Sequence, residues 1–358
     1  MSRKLAERPK AADAARTAGI PVGGSEPDDL VRAAWLYYVA GHTQELTARV
    51  LGVSRVKAAR LLAEARETGI VKISIEHRLS AMVEVEERLR QLFKLSFCRV
   101  TPPLSTLTAS PRQSRRPAMR SPAMEEVESE LARRAVGMTA ARYLRERLLV
   151  NERPVVGLAW GRTTASMIDQ LSGVRKPGAI FVSTMGSLTM NSAANLFDVV
   201  HRAAEKTGGE GHFLPVPYIT NSVADRDVLV AQRSVQEALG LAARADFFFI
   251  SMGECDENGF LFKNGFLSAR ELKELHAAGA VGDAMGKFFD ERGQLVNSDL
   301  NHRSLALDMQ HMRGRDVVLL CGGRAKARAA RGVLRAGFVN GLVIDGDAAM
   351  EVCEQEGE

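Results

Sequence analysis

Val155-Val-Gly-Leu-Ala159, followed at once by Trp160-Gly-Arg-Thr-Thr164 and then Ala165-Ser-Met-Ile-Asp-Gln-Leu171, sets the fold of most of this chain. A short β-branched run that breaks at glycine and changes to helical spacing reads as a strand feeding a helix. The same rhythm recurs, with further strands expected at Ala179 to Val182, Phe213 to Val216, Phe247 to Ser251, Asp316 to Leu320 and Gly341 to Ile344. Helical patterns over Thr164 to Leu171, Ala193 to Lys206, Val223 to Leu239 and Ala325 to Ala336 fall between most of them. This alternation predicts a doubly wound, mainly parallel α/β, Rossmann-like sheet over residues 124–358. Ligands of such sheets bind beyond the carboxyl ends of the strands.

The turns at those ends therefore carry the candidate chemistry. In Gly161-Arg-Thr163-Thr164 the glycine admits close backbone approach, the two hydroxyls donate, and free N–H groups at the helix start favour an anion. Gly322-Gly323-Arg324-Ala325-Lys326 is a second turn of this kind, with Lys326 supplying a point charge. Polar groups suited to sugar hydroxyls lie in Met185-Gly186-Ser187-Leu188-Thr189 with Asn191, in Met252-Gly253-Glu254, and in Gly279-Ala280-Val281-Gly282-Asp283. Carboxylates accept hydroxyl protons in pairs, so Glu254 and Asp283 suit a polyol face. Ordinary tight turns, turn caps and a solvated lysine are the plainer reading of the same residues.

The N-terminal end has another character. Leu30, Ala34, Leu36, Tyr37 and Val39 form an apolar stripe that stops at Gly41; Thr43 is placed to cap a short helix ending at Leu51-Gly52, and Ser54 to cap a third. Ala58, Leu61, Leu62 and Ala65 make the inner face of that third helix, leaving Arg55, Val56, Lys57 and Arg60 outside. A recognition helix enters the major groove with its N-terminal residues at base edges while cations fix the phosphates. The candidate DNA contacts are thus Ser54, Arg55, Lys57 and Arg60, with Gln44 at the start of the preceding helix. A protein-interaction bundle is the alternative for such a hairpin.

Charge supports the division. The chain carries a net +5, yet residues 1–120 carry +9 and the remainder −4. A polyanion partner at the front and a neutral to acidic domain behind it follow from that asymmetry. Cys98, Cys255, Cys321 and Cys353 have no CxxC spacing and no histidine at ligand distance, so buried free thiols are expected, with no metal and no cofactor. A signal peptide and a membrane-spanning run are both missing, which predicts a cytoplasmic protein.

The expected domains are a disordered tail at 1–25, an all-α winged helix-turn-helix at 26–78, a linker or dimerisation helix at 79–98, a mobile Pro/Arg-rich loop at 99–123 and the α/β effector domain at 124–358. Met82, Val85, Leu89 and Leu92 recur at spacings of three and four, which fits either a dimerising seam or packing on the next domain.

Several stretches carry a resemblance: Tyr37-Tyr38, Thr43-Gln44, Leu51-Gly-Val-Ser-Arg55, Arg60-Leu-Leu62 and Ala65-Arg-Glu-Thr-Gly-Ile-Val71 resemble the helix-turn-helix of the SorC family of bacterial sugar-responsive transcriptional regulators. Leu46-Thr-Ala48 departs from the family's usual Glu-Ile-Ala, and the 101–122 loop is longer than usual. Gly157-Leu-Ala-Trp-Gly-Arg-Thr163, Leu214-Pro-Val-Pro217, Gly279-Ala-Val-Gly-Asp283, Phe288-Phe-Asp290, Gly322-Gly-Arg-Ala-Lys326 and Asn340-Gly-Leu-Val-Ile-Asp345 are similar to its effector domain. That domain shares its fold with ribose-5-phosphate isomerase and CoA transferases. The resemblance implies a sugar, polyol or sugar-phosphate effector contacted by Gly161, Thr163, Thr164, Gly186, Glu254, Asp283 and Lys326. It also implies a homo-oligomer, dimer or tetramer, on double-stranded operator DNA. The rival is a sugar-phosphate isomerase or deaminase with an accessory DNA module, whose base would be Glu254, Asp283 or His212; the spacing of these residues makes no acid/base cluster, so no catalytic residue is expected.

Overall fold

In the computed structural model, which describes residues 26–68, 70–71, 78–105, 122–188 and 198–357, apolar positions at helical spacing build a small N-terminal unit within Met1–Glu76. α1 (Glu26–Ala34) runs into a π-helical turn, Trp35–Val39, and α2 (Gln44–Leu51) and α3 (Arg55–Glu67) follow. Leu30, Ala33 and Ala34 meet Leu61, Leu62 and Ala65 in its core. Both caps form as their residue types dictate: Thr43 Oγ1 accepts from the Leu46 N–H and Ser54 Oγ from the Lys57 N–H, each at 3.2 Å. Gly52, at φ 68°, supplies the left-handed turn between the two helices. The expected tail, and the wing expected after α3, lie outside the described residues.

The second unit, His77–Glu358, holds the sheet. α4 (Arg78–Phe93) leads into β1 (Phe97–Thr101), and α5 (Pro122–Val150) precedes β2 (Val155–Leu158). Next come α6 (Arg162–Gln170), β3 (Ile180–Ser183), α7 (Val199–Thr207), β4 (Glu210–His212), α8 (Val223–Val230), α9 (Arg233–Ala242) and β5 (Phe247–Glu254). α10 (Phe260–Lys263) and α11 (Ala269–Ala277) lead to a hairpin, β6 (Ala280–Ala284) with β7 (Lys287–Asp290). α12 (Asp299–Arg303), β8 (Asp316–Cys321), a 3₁₀ turn at Arg324–Lys326, α13 (Ala327–Arg335), β9 (Gly341–Asp345) and α14 (Gly346–Gln355) complete it.

The strands lie in the order β1-β9-β8-β5-β2-β3-β4, with every neighbouring pair parallel, and β6–β7 extends antiparallel from the end of β5. Both faces of the sheet are covered, as an all-parallel sheet requires. Phe247 and Phe249 pack with Val136, Leu144 and Leu148 of α5, whereas Phe248 and Ile250 pack with Ala329, Val333 and Val352 of α13 and α14. Each such side chain contributes roughly 1.5–3 kcal/mol by leaving water, so these two clusters fix the doubly wound architecture.

Differences from the sequence expectation have local causes. Phe97–Thr101, assigned to the linker and loop, is a strand on β9, and α4 packs beside it through Met82, Val85 and Leu89, with Leu92 exposed. Of the two readings of that stripe, packing within the same unit is the one seen. Phe213–Val216 is not a strand because Pro215 and Pro217 lack ladder donors; pairing stops at His212. The helix expected over Val223 to Leu239 breaks at Ala231-Gln232, which lets Leu229, Val230 and Val235 share a small cluster with Leu214, Val216 and Leu305. Residues 279–283, expected as a turn, are largely strand β6, paired with β7.

Residues 106–121 of the Pro/Arg loop lie outside the described residues, as do Thr189 and Asn191. All four cysteines are buried free thiols; burial pushes Cys98 and Cys255 up to about 12, which makes them inert at neutral pH. Among the described residues no helix is long and apolar enough to cross a membrane.

Candidate functional site: a cleft at the sheet's switch point and a cationic helix face

β2 and β5 are neighbours whose onward chains leave in opposite directions, β2 toward β3 and β4, β5 toward β8 and β9. Neither onward connection covers the gap beyond their carboxyl ends, and a crevice results there. Trp160, Gly161 and Arg162 from the β2–α6 turn, Glu254 from β5, Asp283 from β6 and Lys326 from the β8–α13 turn line a cleft that is partly open to solvent. Four of the expected ligand residues, Gly161, Glu254, Asp283 and Lys326, are thereby brought together from four separate segments.

Asp283 is the most perturbed group in the cleft. Burial drives its carboxyl up to about 7; the Lys326 ammonium opposes this, the Glu254 charge adds to it, and a hydrogen bond from Tyr218 opposes it again. The Tyr218 hydroxyl donates to Asp283 Oδ2 at 3.4 Å, and the same desolvation holds that phenol well above its usual range. A carboxyl near half-protonation at neutral pH both donates to and accepts from ligand hydroxyls. Gly253 makes its position possible: a Cβ there would lie 2.5 Å from Asp283 Oδ1. Lys326 is 5% exposed, with Nζ donating to the Met252 carbonyl at 3.1 Å, so a cation is held ready in the wall.

The first βα turn keeps its expected shape. Gly161 sits at φ 151°, where a side chain would collide with Ser251, and α6 begins immediately after it. Thr163 and Thr164 are buried at the helix start, and their hydroxyls find no partner among the described residues. Gly186 stands behind the cleft wall, where its carbonyl accepts from Trp160 Nε1 at 2.8 Å. The second turn differs from expectation: the Gly323 N–H is already bonded to Asp345 Oδ2 at 2.6 Å, and Arg324 is paired with Glu351 at 2.7 Å. Only Lys326 of that turn reaches the cleft.

Sequence reasoning did not single out Arg162, Trp160 or Tyr218. Trp160 meets Tyr218 edge to face at 4.9 Å, buttressing the Asp283 side. Tyr218 carries no motif signal, and Arg162 lies inside a turn whose glycine and hydroxyls already account for an anion site. His212, one of the nominated bases, is exposed on β4 beside Glu210 and is no part of the cleft. A second cavity, lined by Arg226, Lys287, Asn301 and Asp308 among others, receives no βα turn. Among the described residues no cluster suits a metal ion.

In the N-terminal unit, Ser54, Arg55 and Arg60 are exposed and Gln44 and Lys57 half-buried. Arg55, Lys57 and Arg60 make no ion pair among the described residues, so their charges remain available to phosphate. Val56, 80% exposed between two of these cations, is an apolar tip that sequence reasoning placed on this face without assigning it a contact.

The family model Sugar-bind, which describes a sugar-binding domain, matches residues 77–354. The chain is 34% identical over 315 residues to the erythritol catabolism regulatory protein EryD of Brucella abortus, spanning 88% of this chain and 93% of that one. It is 24% identical over 318 residues to the deoxyribonucleoside regulator of Bacillus subtilis, spanning 88% and 94%. Its fold matches that of the full-length sorbitol operon regulator SorC from Klebsiella pneumoniae with a TM-score of 0.63 at 23% identity, over 91% of this chain and 99% of that one.

Proposed function

Because the chain belongs to the SorC family of sugar-responsive transcriptional regulators, we propose that it binds operator DNA through α3 and releases or tightens that grip when a small polyhydroxylated effector enters the switch-point cleft. The observation that carries this reading is the convergence of Gly161, Glu254, Asp283 and Lys326 on one cleft. Two carboxyl groups facing a buried ammonium offer alternating acceptors and donors, the pattern that adjacent hydroxyls need. A sugar, a polyol of about four carbons as in the erythritol regulator's name, or a phosphorylated form fits this lining. Thr163 and Thr164 at the start of α6 complete the effector contacts, and Gly186 holds the wall from behind through Trp160.

On the DNA side, Arg55, Lys57 and Arg60 contact base edges and phosphates, Ser54 holds the helix start, and Gln44 donates to the backbone. Val56 meets a thymine methyl group. A homodimer, or a tetramer of two such pairs, reads pseudo-palindromic half-sites in the cytoplasm.

The test of the DNA face uses a duplex recovered by selection from random sequences and fluorescence anisotropy over a salt series. Arg60→Ala weakens binding by about 1–3 kcal/mol and lowers the salt slope by about one. Unchanged affinity and slope in both Arg60→Ala and Arg55→Ala would remove α3 as the reader.

A further inference from the structure

At the rim of the cleft the carboxylate of Glu126, from the first turns of α5, lies among cations. Its Oε1 is 2.9 Å from Arg133 Nη2 and 3.2 Å from Arg162 Nη1. Lys263 adds a third positive charge nearby. Burial pushes the carboxyl up, but the Arg133 hydrogen bond and the three cations bring it below its usual range. Arg133 is 3% exposed while Glu126 is 61% exposed. A buried guanidinium is thus answered by a solvent-facing carboxylate. Arg133 keeps a second partner, Glu130, at 2.9 Å, and would not be stranded if Glu126 left. Arg162 lines the cleft itself, within reach of the Glu254 charge.

We propose that Arg162 and Arg133 form an oxyanion subsite at the cleft rim, that Glu126 occupies it as an internal stand-in, and that the phosphate of a phosphorylated polyol displaces that carboxylate while its hydroxyl chain lies against Asp283 and Glu254. This rests on the reading of the cleft as the effector site. Guanidinium forks bind carboxylate and phosphate in the same geometry, so exchange of one for the other needs no rebuilding of the cations. A phosphate monoester brings close to two charges where Glu126 brings one. The exchange also has a mechanical consequence, because the Glu126–Arg162 pair ties the start of α5 to the start of α6. Seating the ligand unties it, which gives effector binding a direct handle on α5.

The experiment compares the full chain with Glu126→Gln, Arg162→Gln and the double variant by calorimetric titration and thermal shift. The probes are inorganic phosphate, erythritol and erythritol 4-phosphate. Removing the internal competitor in Glu126→Gln raises affinity for the phosphate ester about tenfold and enhances stabilisation by inorganic phosphate, while erythritol stays within about twofold; Arg162→Gln abolishes both gains in the double variant. Equal ester and phosphate binding by wild type and Glu126→Gln, or an equal rise for ester and erythritol, overturns the subsite. Should Glu126→Gln not fold, Arg162→Lys asks the same question: charge is kept and the fork is lost, so the ester weakens at least fivefold and erythritol does not. An unchanged ester affinity there overturns the proposal as well. The two readings fail separately. Erythritol binding without any effect at Glu126 or Arg162 leaves the cleft reading standing, whereas a phosphate gain in Glu126→Gln without binding of either four-carbon ligand leaves the subsite standing alone.

Discussion

Asp283 and Asp345 are buried carboxyl groups near glycines at the carboxyl ends of the parallel strands, and they differ in what satisfies them. Asp345 accepts from the Gly323 N–H at 2.6 Å and from the Ala348 N–H at 3.1 Å, capping α14 and closing the β8–α13 turn. Asp283 has one hydrogen-bond partner among the described residues, Tyr218, at 3.4 Å. Burial raises both carboxyls, and at Asp345 the backbone donors oppose it. A carboxylate whose lone pairs are filled by backbone holds the fold together. One with acceptor capacity left over, in a cleft, has room for hydroxyls from outside. The same contrast separates the two glycine turns, since Asp345 consumes the donor that an anion at Gly323 would need.

Three substitutions put that contrast at risk. Asp345→Ala, which strips two charge-assisted bonds from buried N–H groups, costs about 3–5 kcal/mol in urea unfolding at pH 7; a loss below about 1 kcal/mol would erase the distinction. Asp283→Asn acts through pH. The folded state keeps the Asp283 proton up to about pH 7, whereas the unfolded chain releases it near 3.9, so between those values the folded state binds more protons and stability falls as pH rises. Wild-type stability relative to Asp283→Asn therefore drops by up to about 4 kcal/mol from pH 4 to pH 8 and levels off above it. Parallel pH profiles for the two proteins would contradict this. Lys326→Met has the smallest effect: it removes the ammonium but fills the same wall, so effector affinity falls about tenfold to a hundredfold, or about 1.4–2.8 kcal/mol, with little change in fold stability. Full affinity in that variant would leave the second turn with no part in binding.

Much of this was legible from residue order alone. Thr43, Gly52 and Ser54 announced the helix-turn-helix because capping is local chemistry, and six stretches announced strands because buried parallel strands are continuous apolar runs. Five of those six stretches are strands. β1 was missed: Phe97-Cys-Arg-Val-Thr101 is a short edge strand whose partner β9 lies more than two hundred residues on, and the Pro-Pro that follows reads as loop. β6 was missed because Gly279 and Gly282 look like a turn; the latter is glycine because Ala329 of α13 leaves no room for a Cβ. In the cleft, Glu254, Asp283 and Lys326 were visible as polar residues at strand ends. Tyr218 and the Arg133–Glu126–Arg162 cluster were not, because their meaning lies in contacts between distant segments that no local pattern encodes.

In the function proposed above, the cleft holding Asp283 controls the helix face holding Arg55 and Arg60. Linkage requires that an effector which changes operator affinity has its own affinity changed by operator to the same factor. The direct measurement is operator affinity by fluorescence anisotropy, with and without a saturating four-carbon polyol or its phosphate, for wild type and for Asp283→Asn. Operator affinity is expected to change at least about fivefold in wild type and not at all in Asp283→Asn, whose operator affinity without effector stays at the wild-type value. An equal response in the two proteins would place control of the DNA face outside this cleft.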